Sequence, residues 1–256
     1  MHSKFEQLQN YLTNLDKQGI CLAFSGGVDS SLLLFLCRNL NILAVTFKSV
    51  FQTGEEIVLT QEFCKKYGVK QEIIEYFPLE NPYIVNNPKD RCYHCKKAIF
   101  TGINDIAGQR TVIDGTNFDD LNVYRPGLNA LKECGVVSPF AKFKITKQEI
   151  RDYAREIGLE FFDKPSSPCL ATRFPYGVKL SRENLEIAEK GEQILKNYGF
   201  KNCRLRLHGN VARIEISQNE FERFLAQKDI TQNLKTLGIK YVTLDVEGLR
   251  SGSMDF

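Results

Sequence analysis

Ala23-Phe24-Ser25-Gly26-Gly27-Val28-Asp29-Ser30-Ser31 decides how the rest of the chain is read. It follows the apolar run Ile20–Phe24 and leads into Asp29–Arg38, where apolar residues recur at helical spacing. A short continuous apolar run is the pattern of a parallel strand buried on both faces. Strand, glycine turn and helix in that order aim backbone N–H groups and a helix N-terminus at one point, which makes an anion site. Gly26 and Gly27 let the backbone approach closely and adopt positive φ, and Ser25 and Ser30 add hydroxyl donors. The carboxylate of Asp29 repels phosphate, so its natural task is to hold Mg²⁺ between phosphate oxygens. The spacing differs from the Walker loop, which requires a Gly-Lys-Ser/Thr ending. A capped turn would account for two glycines, but not for Ser-Gly-Gly-Xaa-Asp-Ser after a buried strand.

Outward from this loop the pattern repeats. Ile42–Phe47, Glu72–Tyr76 and Val112–Asp114 read as further strands, and residues 5–18, Glu55–Tyr67 and Lys147–Ile157 as helices, the last with Thr146 as N-cap. Asn81–Asp90 reads as a loop leading into a short helix after Arg91. Strands alternating with helices predict an α/β fold, a doubly wound parallel sheet. Asp163–Pro175 carries three prolines and two serines and reads as a linker. Beyond it the order changes to helix Glu183–Tyr198, strands Cys203–Leu207 and Ala212–Ile216, helix Gln218–Ala226 and strand Lys240–Asp245. That is a smaller α+β unit, so domains 1–168 and 169–256 are expected.

Composition narrows the function classes. With 43% apolar and 25% charged residues, the chain is neither disordered, collagenous nor coiled coil. Lys plus Arg number 34 against 31 for Asp plus Glu, too small an excess to favour a duplex nucleic-acid partner. The longest apolar stretches, Ser31–Cys37 and Ile42–Phe47, are far too short to cross a bilayer. The N-terminal residues lack a signal-peptide core, so a cytoplasmic protein is expected. Its eight cysteines are then thiols, metal ligands or catalysts rather than disulfides. Cys21, Cys37, Cys64, Cys134 and Cys203 read as packing residues; Cys92, Cys95 and Cys169 stand apart.

Asp114-Gly115-Thr116-Asn117-Phe118-Asp119-Asp120 follows the fourth strand, where open α/β sheets bind ligands. Together with the first loop it resembles the nucleotide-facing loops of the PP-loop ATP pyrophosphatase superfamily, whose members adenylate a substrate and release pyrophosphate. The resemblance implies ATP held by Ala23, Phe24, Ser25, Gly26, Gly27, Asp29, Ser30, Ser31, Phe47, Gly115 and Thr116, with Mg²⁺ on Asp29. Four further segments narrow the likeness: Asn87–Lys97 around Cys92-Tyr93-His94-Cys95, Arg125-Pro126-Gly127-Leu128, Ser138-Pro139-Phe140, and Lys164–Arg173 around Cys169. Together they resemble the LarE family of ATP-dependent sulfurtransferases that build a nickel-pincer nucleotide cofactor, over nearly the whole chain.

That resemblance implies a small-molecule nucleotide substrate, pyridinium-3,5-biscarboxylic acid mononucleotide. A ring carboxylate becomes an acyl adenylate, which a protein-borne sulfur attacks as AMP leaves; adenylation supplies the leaving group a carboxylate lacks. Cys169 matches the sulfur-bearing position. In one branch of the family that cysteine surrenders its own sulfur; in another, three cysteines hold a [4Fe–4S] cluster, and Cys92, Cys95 and Cys169 match the second. Self-association is implied as well.

From the residues alone, several assignments stay open. Three thiolates suit a cluster with one open iron, a sacrificial Cys169 assisted by the pair is a second reading, and zinc or plain thiols a third, although zinc usually wants four protein ligands. Arg204 and Arg206 alternate on one strand and so share a face, and with Lys96, Arg173 and Arg250 they are candidates for holding substrate phosphate and carboxylates. Glu192 and Glu215 match acidic positions of the family and are candidates for a divalent metal. The competing functions are a tRNA thiolase of the same superfamily, which strongly salt-dependent RNA binding would favour, and a non-catalytic ATP sensor.

Overall fold

The computed structural model describes residues 2–122, 126–163, 168–250 and 252–254. Arg125 and Lys164–Ser167, which belong to the segments quoted above, lie outside them. The chain divides into two compact units, residues 1–76 with 90–167 and residues 77–89 with 168–256.

The first unit is built on four parallel strands, β1 (Ile20–Ala23), β2 (Ile42–Lys48), β3 (Lys70–Glu75) and β4 (Thr111–Ile113), in the order β3-β2-β1-β4. Alternation along β1 sends Ile20 and Leu22 to one core and Cys21 and Ala23 to another. The first core also takes Phe5, Leu8 and Leu12 of helix His2–Leu15, Leu32 and Leu33 of helix Val28–Cys37, and Ile150 and Ala154 of helix Lys147–Glu156. The second takes Phe100 and Ile103 of helix Arg91–Ala107 and Leu131 of helix Gly127–Glu133. Helices therefore cover both faces, which is why β1 and most of β2 read as apolar runs, whereas the edge strand β3 carries three charged residues. The fold is the doubly wound α/β arrangement that the sequence predicts.

Strand order sets where a ligand can sit. From β1 the chain proceeds outward to β2 and β3 and later returns on the other side of β1 as β4. The loops after β1 and β4 thus diverge, opening a crevice at the carboxyl ends of the strands.

The second unit holds β5 (Arg204–His208), β6 (Val211–Glu215) and β7 (Tyr241–Leu244), ordered β5-β6-β7. β5 and β6 form the expected antiparallel pair, and β7 joins β6 in parallel. Helix Arg182–Asn197 lies so near β5 that a Cβ on Gly191 would stand 2.3 Å from Leu205 Cδ1. Residues 77–89, continuous in sequence with the first unit, are held here by backbone bonds from Leu180 N to Val85 O (2.7 Å) and from Gly177 N to Asn87 O (3.0 Å). Asn87 is fully buried at φ +50° and donates through Nδ2 to the carbonyls of Phe174 (3.3 Å) and Pro175 (2.8 Å).

Candidate active site

The loop after β1 is shaped by one glycine of the two expected to need freedom. Gly26 takes φ +70°, and a Cβ there would meet Thr60 Cγ2 at 2.9 Å. Gly27 instead has φ −75°, open to any residue, and serves as the N-cap of helix Val28–Cys37. As a glycine, this N-cap offers no side-chain oxygen of its own to the first N–H groups, and such a helix end suits an anion. Ser25 Oγ and Ser30 Oγ lie 3.2 Å apart, and Ser30 Oγ donates to Gly27 O at 3.2 Å. Ser31 is buried in the same helix turn.

The loop after β4 closes onto the first. A Cβ on Gly115 would stand 2.9 Å from Ser30 N and 3.1 Å from Asp29 Cβ. Buried Asp114 braces this loop, accepting from Thr116 Oγ1 at 2.5 Å and from Ser138 Oγ at 2.6 Å. Gly115→Ala therefore has to push the two loops apart. It is expected to cost about 1–3 kcal/mol in stability and to weaken by about tenfold or more the binding of whatever phosphate ligand these loops hold, with ATP as the probe in titration calorimetry beside thermal melts.

Between these loops lies a cavity of about 300 Å³, within the usual size of small-ligand sites. Its polar end is lined by Ser25, Gly27, Asp29, Ser30, Asp114, Gly115, Thr116 and Asp120, and its apolar part by Val45, Phe47, Ile99, Phe100 and Ile103. Ala23, Phe24, Gln52 and Lys96 complete the wall. The structure thus brings together most of the residues expected to hold ATP. Sequence reasoning missed the apolar wall of helix Arg91–Ala107, which reads only as core.

It also missed Lys147. This residue opens helix Lys147–Glu156 and puts Nζ 2.6 Å from Asp29 Oδ2, while its backbone N donates to Asp119 Oδ2 at 2.8 Å. Burial pushes the Asp29 carboxyl above its usual 3.8 against the opposing pull of Lys147. Asp29 Oδ1 is buried and has no hydrogen-bond partner. An orphaned carboxylate oxygen beside an anion cradle fits a hard divalent cation such as Mg²⁺. Among the described residues no three His, Cys, Asp or Glu side chains are grouped to hold a metal ion, so such a cation would take its remaining oxygens from phosphates and water.

The cysteines differ in environment. Burial pushes the thiols of Cys37, Cys64 and Cys203 up to about 12 and that of Cys21 to about 11, so all four stay protonated at neutral pH. Cys134 is half-buried. Cys92 and Cys95 sit in the first turn and a half of helix Arg91–Ala107, one exposed and one half-buried, three residues apart and so on one helix face. The guanidinium of buried Arg91 lies 3.7 Å from Cys92 Sγ. Burial, and then neighbouring Cys95, push the Tyr76 phenol up. His94 turns to Asp90, with Nε2 and Oδ2 3.2 Å apart. Cys169 belongs to the second unit, at the N-cap of the 3₁₀ turn Leu170–Arg173.

The basic residues expected to hold substrate fare differently from one another. Arg173 lies against Glu192 (Nε–Oε1 2.5 Å, Nη2–Oε2 3.0 Å), and Arg206 against Glu215 (Nε–Oε1 3.0 Å, Nη2–Oε2 2.9 Å). The two carboxylates considered for a divalent metal are thus engaged by guanidinium groups, and Glu215 also accepts from Ser253 and Arg213. Arg204 is half-buried and donates to Cys203 O at 2.8 Å; burial and the nearby charge of Arg173 pull its pKa down. Arg250 pairs with Asp245 at 3.2 Å and with Glu247.

A parallel sheet with a glycine-cornered anion loop and an unpartnered acidic oxygen defines a PP-loop nucleotide enzyme, and residues 1–98 match the NAD synthase family. The fold is shared with NMN synthetase from Francisella tularensis, at TM-score 0.52 and 15% identity over 65% of this chain and 75% of that one. Over its full length the chain is 36% identical to an uncharacterized protein of Synechocystis sp., covering 98% of it. An uncharacterized protein of Methanocaldococcus jannaschii is 34% identical over 97% of this chain and 98% of its own. The pyridinium-3,5-bisthiocarboxylic acid mononucleotide synthase of Lactiplantibacillus plantarum is 36% identical over 94% of this chain and 90% of its own. The chain belongs to the family of that synthase, the LarE family. Among the described residues, no helix is long and apolar enough to cross a membrane.

Proposed function

We propose that the protein is an ATP-dependent sulfurtransferase acting on pyridinium-3,5-biscarboxylic acid mononucleotide. The observation that carries this reading is the cavity of about 300 Å³ at the anion loop with its orphaned Asp29 oxygen, in a chain that matches the Lactiplantibacillus synthase almost end to end. The cradle would hold the pyrophosphate of ATP, with Mg²⁺ on Asp29 and the base against Phe47 and Phe100. A ring carboxylate oxygen attacks the α-phosphorus and pyrophosphate leaves. A protein-borne sulfur then attacks the acyl carbon, and AMP departs with the carboxylate oxygen. Cys92, Cys95 and Cys169 are the residues proposed to hold a [4Fe–4S] cluster, which would supply a transferable sulfide. Lys96, on the cavity wall, is proposed to meet a phosphate, and Arg204 and Arg250 remain candidates for the substrate's anionic groups.

The test separates the two half-reactions. With ATP, Mg²⁺ and the mononucleotide, wild type releases pyrophosphate and yields the thiocarboxylate, whereas Cys169→Ser releases pyrophosphate and yields none. Anoxically reconstituted wild type should carry about four irons and four sulfides per chain, lost in Cys92→Ala, Cys95→Ala and Cys169→Ala. Absence of iron, with Cys169 losing its sulfur in one turnover, would replace the cluster by a sacrificial cysteine. Absence of pyrophosphate release would overturn the reading altogether.

A further inference from the structure

We propose that Arg173 and Arg206 act as positioning residues that hold the Cys169 turn, and that neither binds substrate anions. The functional half of this rests on the reading of Cys169 as the sulfur-bearing residue. Cys169 O accepts from both Thr172 N (2.9 Å) and Thr172 Oγ1 (2.8 Å). Arg173 Nη1 donates to that same Thr172 Oγ1 at 2.9 Å and to Pro168 O at 3.2 Å. Arg206 Nη1 donates to Thr172 O at 2.6 Å. The carbonyls of Pro168, Cys169 and Thr172 are thus tied, directly or through one hydroxyl, to two guanidinium groups.

Those groups are themselves anchored. Glu192 Oε1, which holds Arg173 Nε, also accepts from Leu205 N at 3.0 Å, fastening the turn to β5 and helix Arg182–Asn197. Glu215 fastens Arg206 to β6 and, through Ser253 Oγ at 2.5 Å, to the C-terminal tail. Arg173 and Arg206 are 2% and 5% exposed, and each uses all three of its nitrogens within the chain. A phosphate could reach Nε or Nη2 of either only by displacing a carboxylate from a buried, bidentate pair, which leaves an uncompensated buried charge. It could reach Nη1 only by breaking the bonds that hold the Cys169 turn. Fixing a reacting sulfur in this way matters because a misplacement of about 1 Å can cost about 10²-fold in rate.

The experiment compares Thr172→Val, Arg173→Lys and Arg206→Lys with wild type by hydrogen exchange of the 168–174 peptide and by steady-state sulfur transfer. Thr172→Val keeps side-chain volume and leaves both ion pairs intact, so it remains informative should either arginine variant fail to fold. The expected result is exchange at Thr172 N faster by about tenfold or more, with kcat falling and KM for the mononucleotide unchanged. KM rising tenfold in the arginine variants with exchange unaltered would make them substrate ligands and overturn the proposal, as would unaltered exchange in all three. The exchange measurement needs no substrate, so it stands apart from the functional reading, which fails independently if Cys169→Ser still transfers sulfur.

Discussion

On the proposed reaction, Asp29→Asn lowers ATP-dependent pyrophosphate release by about 10²–10³-fold, the range for loss of one preorganised electrostatic group, while the melting temperature holds or rises. The amide keeps the shape of the carboxylate but loses the charge that a divalent cation needs. In the native protein one oxygen is buried without a partner and the other touches Lys147 at 2.6 Å. Burial raises this carboxyl above its usual 3.8, so between that value and its folded pKa the native state binds the proton more tightly than the unfolded chain. Stability therefore falls as pH rises through that window, and removing the charge relieves the cost. Activity needs the ionised form, which a bound divalent cation would favour, so the upward push of burial is read from melts of the metal-free protein. Stopped-flow pyrophosphate assays across pH, paired with melts of both proteins, check the opposite signs. A variant that loses stability and activity together would mean Asp29 is structural.

Glu215→Ala costs about 3–5 kcal/mol, the range for stripping one partner from a buried ion pair, or roughly 6–20 °C in melting temperature. Glu215 has no exposed surface and answers Arg206, Arg213 and Ser253 at once. Burial would raise its carboxyl, but hydrogen bonds from Arg206 and Ser253 outweigh that and hold it below its usual 4.5. Its stabilisation is thus complete above 4.5 and lost as pH falls through the folded pKa. Wild type should lose stability on acidification in a step that the variant lacks. Adding Arg206→Met to Glu215→Ala should restore part of the loss in a double-mutant cycle.

The phosphate loop was legible because its chemistry is local: strand, glycines, hydroxyls and carboxylate follow one another within nine residues. Phe47, Gly115 and Thr116 were added through the family resemblance, and the strand order explains why their ends lie beside it. Lys147 was not legible, since 118 positions separate it from Asp29 and nothing at its own position marks its partner. The arginines show a subtler limit. Alternation puts Arg204 and Arg206 on one face, but an inward-facing guanidinium needs an anion, and a sequence does not tell a chain carboxylate from a ligand. The parallel docking of β7 and the transfer of residues 77–89 to the second unit depend on contacts between distant segments, which no periodicity encodes.

That transfer has a consequence for synthesis. The segment carrying Val85 and Asn87 leaves the ribosome before Gly177 and Leu180, its hydrogen-bond partners, exist. Residues 88–176 must be made in between, roughly 4–18 s at ordinary elongation rates. For that interval a nascent chain carries Ile84 and Asn87, both fully buried in the finished protein, with nothing to receive them. Chaperone occupancy during translation should therefore peak over this stretch and drop once codon 180 has been passed.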